Sequence, residues 1–317
     1  FTRPLDMALR VALLFLPALA ASLAISTPLR PVQRLASARL ASVRLAAGPP
    51  AYAAKAVVQG GSGKGKPATA YFKPLQAGDV LESTAEHRWI CATAATLSFA
   101  LLVKAAFAAS AAALTAAAVL RYVLAAIIGY EFADFGSGVY HWAMDNYGNA
   151  KTPVFGRQIE AFQGHHERPW TITHRQTCNN LHQSCIATMP PLAAWLLLVS
   201  APSALIFGAV AMSFIILAQE LHKWSHTLPR DALPLAESLQ AMGAVIARKN
   251  HLAHHRSPFD TNYCIVSGHC NRALDAVGFF PLLERAIHAL NGVEPRSWTN
   301  QRFDFSDSTE GEELMER

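Results

Sequence analysis

Polar and apolar residues are segregated along this chain into long blocks. From Trp89 to Tyr130 the only charged side chains are Lys104 and Arg121. One helix over those 42 residues would be roughly 60 Å long at about 1.5 Å per residue, twice a hydrocarbon core of about 30 Å. The block therefore predicts two crossings, near 89–108 and 110–130. A second uncharged block runs from Ile186 to Ala218 and is broken near its middle by Ser200-Ala201-Pro202-Ser203, which is turn chemistry. It predicts two short helices in a hairpin. The expected fold is all-α, an integral membrane protein of four helices. A hairpin returns the chain to its starting side, so the polar segments flanking it, 141–182 and 222–255, are expected at one membrane face.

The composition agrees with a membrane protein: 52% of residues are hydrophobic and only 15% charged, against roughly 25% charged in soluble domains. The net charge of +5 comes from the first 78 residues, which hold ten Lys/Arg and one acid, Asp6. The rest has 17 Lys/Arg against 21 Asp/Glu, which excludes a basic nucleic-acid surface. Residues 1–78 read as a targeting region. Residues 7–26 resemble a signal-peptide apolar stretch, 27–59 are rich in Arg, Ser and Ala like a transit peptide, and 60–78 form a linker. The two addresses in tandem imply a plastid; a membrane anchor with a disordered tail is the alternative. Residues 79–300 are expected to be the membrane domain and 301–317 an acidic tail.

Chemistry is concentrated in histidine. Ten of the 13 histidines lie between His141 and His255. They group as His141 with Asp145 four residues on, the adjacent pair His165-His166, His182, the i, i+4 pair His222 and His226, and His251, His254 and His255. Residues three and four apart on a helix share a face, and neutral imidazole is a good ligand for iron and zinc. Adjacent histidines on a helix diverge by about 100°, so each such pair can reach two metals. Nine histidines exceed the four ligands of a tetrahedral zinc and suit two ions. His182 is expected among the ligands and His174 is not. Asp145 is expected either as a ligand or as an acceptor for a ligand's N–H. Asp134 reads as a capping or hydrogen-bonding residue. The five cysteines show no metal-site or disulfide spacing.

The run DFGSGVYHWAMDNYGNAKTPVFGRQIEAFQGHHERPWTITHRQTCNNLH (134–182), with QELHKWSHTLP, RKNHLAHHRSPFDTNYCIVSG and GVEPRSW, resembles the lipid desaturase family of plastid fatty acid desaturase 4. The resemblance spans roughly residues 80–300. It implies a histidine-box di-iron site capping one side of the bundle, with His141, His165, His166, His182, His222, His226, His251, His254 and His255 as ligands and Asp145 at an acidic position of the first motif. It further implies O₂-dependent insertion of a trans double bond at carbon 3 of palmitate on phosphatidylglycerol. No flavin or nicotinamide fingerprint is visible, so two electrons are expected from outside, in a plastid from a ferredoxin-type donor. Arg168, Arg175, Arg248, Lys249 and Arg256 are candidates for contact with a lipid phosphate. The alternatives are a plasmanyl-lipid desaturase or lipid hydroxylase of the same di-iron type and, in a different class, a histidine-rich membrane metal transporter, which would place its ligands inside the spans.

Overall fold

The computed structural model describes residues 79–299 apart from Ser257. The expected targeting region and acidic tail lie outside the described residues. Among the described residues four long helices form the body: α1 (Ala85–Ala111), α2 (Ala116–Asn146), α5 (Thr177–Leu198) and α6 (Pro202–His226). Seven shorter ones gather at one end: α3 (Gly156–Glu167), α4 (Thr171–His174), α7 (Pro234–Ala241), α8 (Arg248–His254), α9 (His269–Ala276), α10 (Phe279–Asn291) and α11 (Arg296–Thr299). No strand occurs among the described residues.

The boundaries follow from local chemistry. Thr84 opens α1 with a capping box: its Oγ1 accepts from the His87 N–H (3.1 Å), and His87 Nδ1 accepts from the Thr84 N–H (3.4 Å). Thr115 opens α2 by accepting from the Ala118 N–H at 3.2 Å. Pro202 starts α6, where its missing N–H removes no helical bond. Helix α2 extends well beyond the expected limit near residue 130, because Glu131–Asn146 contains no proline and its inward face is polar and buried at Asp134, His141 and Asp145. Helix α5 starts at Thr177, nine residues ahead of the uncharged block, and carries Pro190 and Pro191 inside it. Helices α1, α2 and α6 are long and apolar enough to cross a membrane. On α2 the exposed Leu120, Val123, Leu124, Ile127 and Ile128 form one apolar face, as lipid contact requires.

Helices α1 and α5 run in the same direction. Near one end Cys91 Sγ donates to the Cys178 carbonyl (3.7 Å), and near the other Lys104 Nζ donates to the Leu196 carbonyl (2.6 Å). That ammonium satisfies a carbonyl in the last turn of α5 and places positive charge at the negative end of its dipole. Helices α2 and α6 also run together, with Ala133 packed among Ala218 and Leu221. Both hairpins thus return to the end where α1 and α5 begin. The α2–α6 contact is close because Gly129 has no side chain: a Cβ there would lie 2.6 Å from the Phe207 carbonyl oxygen. Gly129→Ala is expected to cost about 1–3 kcal/mol, read as a lower thermal midpoint of the detergent-purified protein; an unchanged midpoint would contradict this packing.

The segment after α8 is tied to α2 by one carboxylate. Asp134 is fully buried. Its Oδ1 accepts the N–H groups of Val266 (3.2 Å), Ser267 (2.8 Å) and Gly268 (2.9 Å), and its Oδ2 accepts that of Cys270 (3.0 Å). A second buried carboxylate, Glu284 on α10, accepts from Trp142 Nε1 (3.0 Å) and Trp298 Nε1 (2.9 Å). These two anchors hold the short helices against the end of the bundle where the histidines lie.

Candidate metal centre

Histidines from both sides of the α5–α6 hairpin meet at that end. In one group, the ligand atoms of His165, His222, His226, His251 and His255 all lie within 4.8 Å of one another. In the other, those of His141, Asp145, His166 and His254 do so. The supply is regular. The last two turns of α2, α3, α6 and α8 contribute every ring but that of His255, which caps α8. Four helix C-termini therefore face the centre with their partial negative charge, which favours a cation there. The adjacent pairs divide between groups: His165 and His255 join the five-histidine group, His166 and His254 the carboxylate-bearing one.

The rings present like atoms to one another. In the five-histidine group, Nε2···Nε2 distances are 2.9 Å (His165–His226), 2.8 Å (His222–His251), 3.2 Å (His222–His226) and 3.0 Å (His251–His255). A neutral imidazole has one N–H, and hydrogen bonds cannot satisfy a ring of acceptors. Nitrogens about 3 Å apart are what a shared cation at about 2.1 Å from each would produce. In the second group one oxygen, Asp145 Oδ2, lies 3.3 Å from His141 Nε2, 3.1 Å from His166 Nε2 and 3.2 Å from His254 Nε2. Asp145 Oδ1 is buried without a hydrogen-bond partner. The residues thus fit two metal ions, one surrounded by imidazoles alone and one by three imidazoles and a carboxylate.

Neighbouring oxygens fix the tautomers. His141 Nδ1 donates to the Tyr263 carbonyl (2.9 Å), His254 Nδ1 to the Thr261 carbonyl (2.8 Å) and His222 Nδ1 to Gln219 Oε1 (3.3 Å). Each bond leaves the Nε2 lone pair aimed at the centre. Burial, followed by the neighbouring imidazoles, holds His165 well below the usual histidine range. The same two causes hold His251 and His255 there. Burial lowers His166 too, against the opposing pull of Asp145. These rings are kept neutral, the form that binds metal. Aromatic rings close the surroundings: Phe162 lies 5.2 Å from His141, Phe259 4.8 Å from His166 and Tyr263 4.9 Å from His254, between ring centroids.

Eight of the nine expected histidines, and Asp145, are brought together. His182 stands apart from them and joins neither group. Its ring stacks on His87 at 3.9 Å, its Nδ1 donates to the Asn179 carbonyl (2.7 Å), and its Nε2 accepts from Gln183 Nε2 (2.9 Å). The contact between the first turn of α1 and the second turn of α5 holds the ring there, with both nitrogens engaged. His182→Ala is accordingly expected to keep the full metal content of the purified protein; loss of metal comparable to that of His226→Ala would return His182 to the ligand set. Among the arginines expected at a lipid phosphate, Arg168 pairs with Asp79 (3.0 Å), Arg175 donates to Asn179 Oδ1 (3.2 Å) and Arg248 to the Thr227 carbonyl (3.5 Å). Lys249 and Arg256 are exposed. A third acidic group, Glu131, Asp134 and Cys270, is taken up by other contacts: Asp134 holds backbone N–H groups, and Glu131 Oε1 accepts from His269 Nδ1 (2.9 Å). The carbonyls of Tyr263 and Thr261 and the Asp134 anchor are site features that spacing does not reveal.

Comparison with known proteins gives the chain a family. The model of the lipid desaturase domain matches residues 130–298, which contain all nine residues of the two groups. The chain is 41% identical over 230 residues to fatty acid desaturase 4-like 1, chloroplastic, of Arabidopsis thaliana, covering 73% of this chain and 77% of that protein. It is 46% identical over 197 residues to the chloroplastic fatty acid desaturase 4 of the same plant, covering 60% of this chain and 59% of that one. It is 32% identical over 186 residues to plasmanylethanolamine desaturase 1 of Mus musculus, covering 55% and 68%. No solved structure matches it. With a matching domain that contains the whole histidine centre, and relatives that are desaturases, the chain belongs to the lipid desaturase family and is an oxidoreductase of the membrane.

Proposed function

We propose that the chain is a di-iron acyl-lipid desaturase of a plastid membrane that introduces a trans double bond at carbon 3 of palmitate on phosphatidylglycerol. The observation that supports this most is the convergence of His141, Asp145, His165, His166, His222, His226, His251, His254 and His255 into two adjacent groups. Those nine residues would hold the two irons. When bound, the irons supply O₂ activation and removal of two hydrogens from neighbouring methylenes, with two electrons from a ferredoxin-type donor. The protein's own work is to keep the imidazoles neutral and oriented through Tyr263, Thr261 and Gln219, and to exclude water with Phe162, Phe259 and Tyr263.

The centre lies at the end of the bundle, at helix termini, which suits chemistry close to the carboxyl end of a membrane lipid. Lys249 and Arg256 flank the α8 histidines and would hold the phosphate of the head group. The chloroplastic names of the plant relatives support the plastid and the reading of residues 1–78 as a targeting region ahead of a 79–300 membrane domain, with 301–317 as a tail. A second reading, a plasmanyl-lipid desaturase, is favoured by the identity to the mouse protein and by 34% identity over 178 residues to plasmanylethanolamine desaturase of Myxococcus xanthus. Lipid profiles of cells with and without the gene decide between them. The proposal predicts that trans-3-hexadecenoate on phosphatidylglycerol appears with the gene and disappears without it. Vinyl ethers or hydroxylated chains in its place would overturn the proposal.

A further inference from the structure

A ladder of aromatic side chains leads from the metal centre to the protein surface. The ring of Tyr263, fully buried, lies 4.9 Å from the His254 ring and 5.8 Å from the His141 ring. Phe280 stands between Tyr263 and Trp142, 4.8 Å from the first and 5.6 Å from the second, all between ring centroids. Asn146 ties the same two residues from the side: its Nδ2 donates to the Tyr263 hydroxyl (3.0 Å) and to the Trp142 carbonyl (3.0 Å). Trp142 Nε1 donates to Glu284 Oε1 (3.0 Å), and the other oxygen of that carboxylate accepts from Trp298 Nε1 (2.9 Å). Trp142 is 5% exposed and Trp298 43%, so the ladder begins at the histidines and ends at the surface.

Packing alone does not call for this arrangement. A buried indole N–H needs one acceptor, and a backbone carbonyl suffices, as the Ala204 carbonyl does for Trp195 Nε1 (2.9 Å). Trp142 and Trp298 instead share one buried carboxylate, a group that costs free energy to bury and that Ser297 Oγ also bonds (3.0 Å). Negative charge between two indoles favours positive charge on either ring, and the carboxylate oxygens can take up an indole proton. Among aromatic side chains, tyrosine and tryptophan lose an electron most easily. Glu284 therefore makes both tryptophans easier to oxidise, at the place where the ladder leaves the interior.

We infer that Tyr263, Trp142 and Trp298 form an escape route for oxidising equivalents generated from O₂ when no acyl chain is in place. The inference rests on the desaturase reading above and adds a protective role to it. Each passage moves one electron inward. Trp142 gives an electron towards the histidines across Tyr263 and is restored by one from Trp298. Trp298, now oxidised by one electron, passes its N–H proton to Glu284. A small soluble reductant of the thiol or ascorbate class returns one electron at the surface, and the proton goes back to the indole. That reductant is the species finally oxidised, and the histidine rings are spared. Electron transfer slows steeply with distance, so short hops between neighbouring rings outpace a direct jump from the buried histidines to the surface.

The test uses the full-length, iron-loaded, detergent-purified protein and its Trp142→Phe and Trp298→Phe variants, each checked for iron content. Each is reduced with stoichiometric dithionite, mixed with O₂ without lipid substrate or ascorbate, and mapped by peptide mass spectrometry. Catalase is present to remove free peroxide. With no external donor, the Trp298 radical combines with O₂ and is recovered as oxygenated tryptophan. Trp89, the more exposed indole at 75%, reports oxidants that diffuse in solution. The expected result in the parent is several-fold more oxygenation at Trp298 than at Trp89, suppressed by added ascorbate. In Trp142→Phe the Trp298 product is lost and oxidation moves to Tyr263 and the histidines. In Trp298→Phe it stops at Trp142, a readout that stands even where Trp142→Phe does not accumulate. A parent that takes up no iron or consumes no O₂ would defeat the functional reading itself. A parent that does both, yet oxygenates Trp89 as much as Trp298, oxygenates no tryptophan, or keeps the Trp298 product in iron-loaded Trp142→Phe, would overturn this inference alone.

Discussion

Replacing His165 by alanine is expected to abolish desaturation, a loss of at least about a hundredfold, while the protein still inserts in the membrane. His165 Nε2 lies 2.9 Å from His226 Nε2, within the five-histidine group. The ring comes from α3, on the opposite side of the α5–α6 hairpin from His222, His226, His251 and His255, so its removal breaks the link between the two halves of the centre. It leaves four imidazoles in that group and does not touch the carboxylate-bearing one. Metal content should therefore fall by about half and not vanish, because the groups use different atoms. The same loss is expected for His255→Ala. Metal analysis beside activity checks both; a His165→Ala protein that is fully active would exclude the ring from the centre.

The second large effect is expected away from the metals. Asp134→Ala removes the acceptor of four backbone N–H groups, those of Val266, Ser267, Gly268 and Cys270. Leaving buried donors unsatisfied costs about 1–3 kcal/mol each, so the variant is expected to lose about 4 kcal/mol or more. The released segment contains Tyr263, whose carbonyl orients His141, so metal should be lost along with stability. Asp134→Asn keeps Oδ1, which receives three of the four bonds, and should be milder. Thermal midpoint and metal content of both variants provide the check. An Ala variant as stable as the parent would show that the segment is held by other means.

The histidine pairs were legible in the sequence because helix geometry is local. An i, i+4 spacing at His222 and His226, or an adjacent pair at His165-His166, fixes relative direction within one helix whatever the rest of the chain does. The two members of each adjacent pair do point to different groups, His165 apart from His166 and His254 apart from His255. The hairpin was legible because 33 uncharged residues with a central proline have few other solutions. The position of the His182 ring was not legible. Its direction depends on the packing of α1 against α5, which places His87 under its ring, and no spacing within 177–185 carries that information. The Asp134 anchor spans more than 130 residues and ends on backbone N–H groups, which no side-chain pattern encodes. The length of α2 was underestimated for a similar reason: polar residues at 131–146 read as the end of a membrane helix, yet they continue it by turning inward to the metal centre and to Asp134's partners.

The proposed centre has imidazoles from two distant stretches of chain enclosing a pair of metal ions. It is tested most directly by counting iron in the purified full-length protein and in two variants, each directed at one group: His226→Ala and Asp145→Ala. About two irons per chain are expected in the parent and about one in each variant. A parent that binds a single ion, or variants that both keep the parental count, would contradict it.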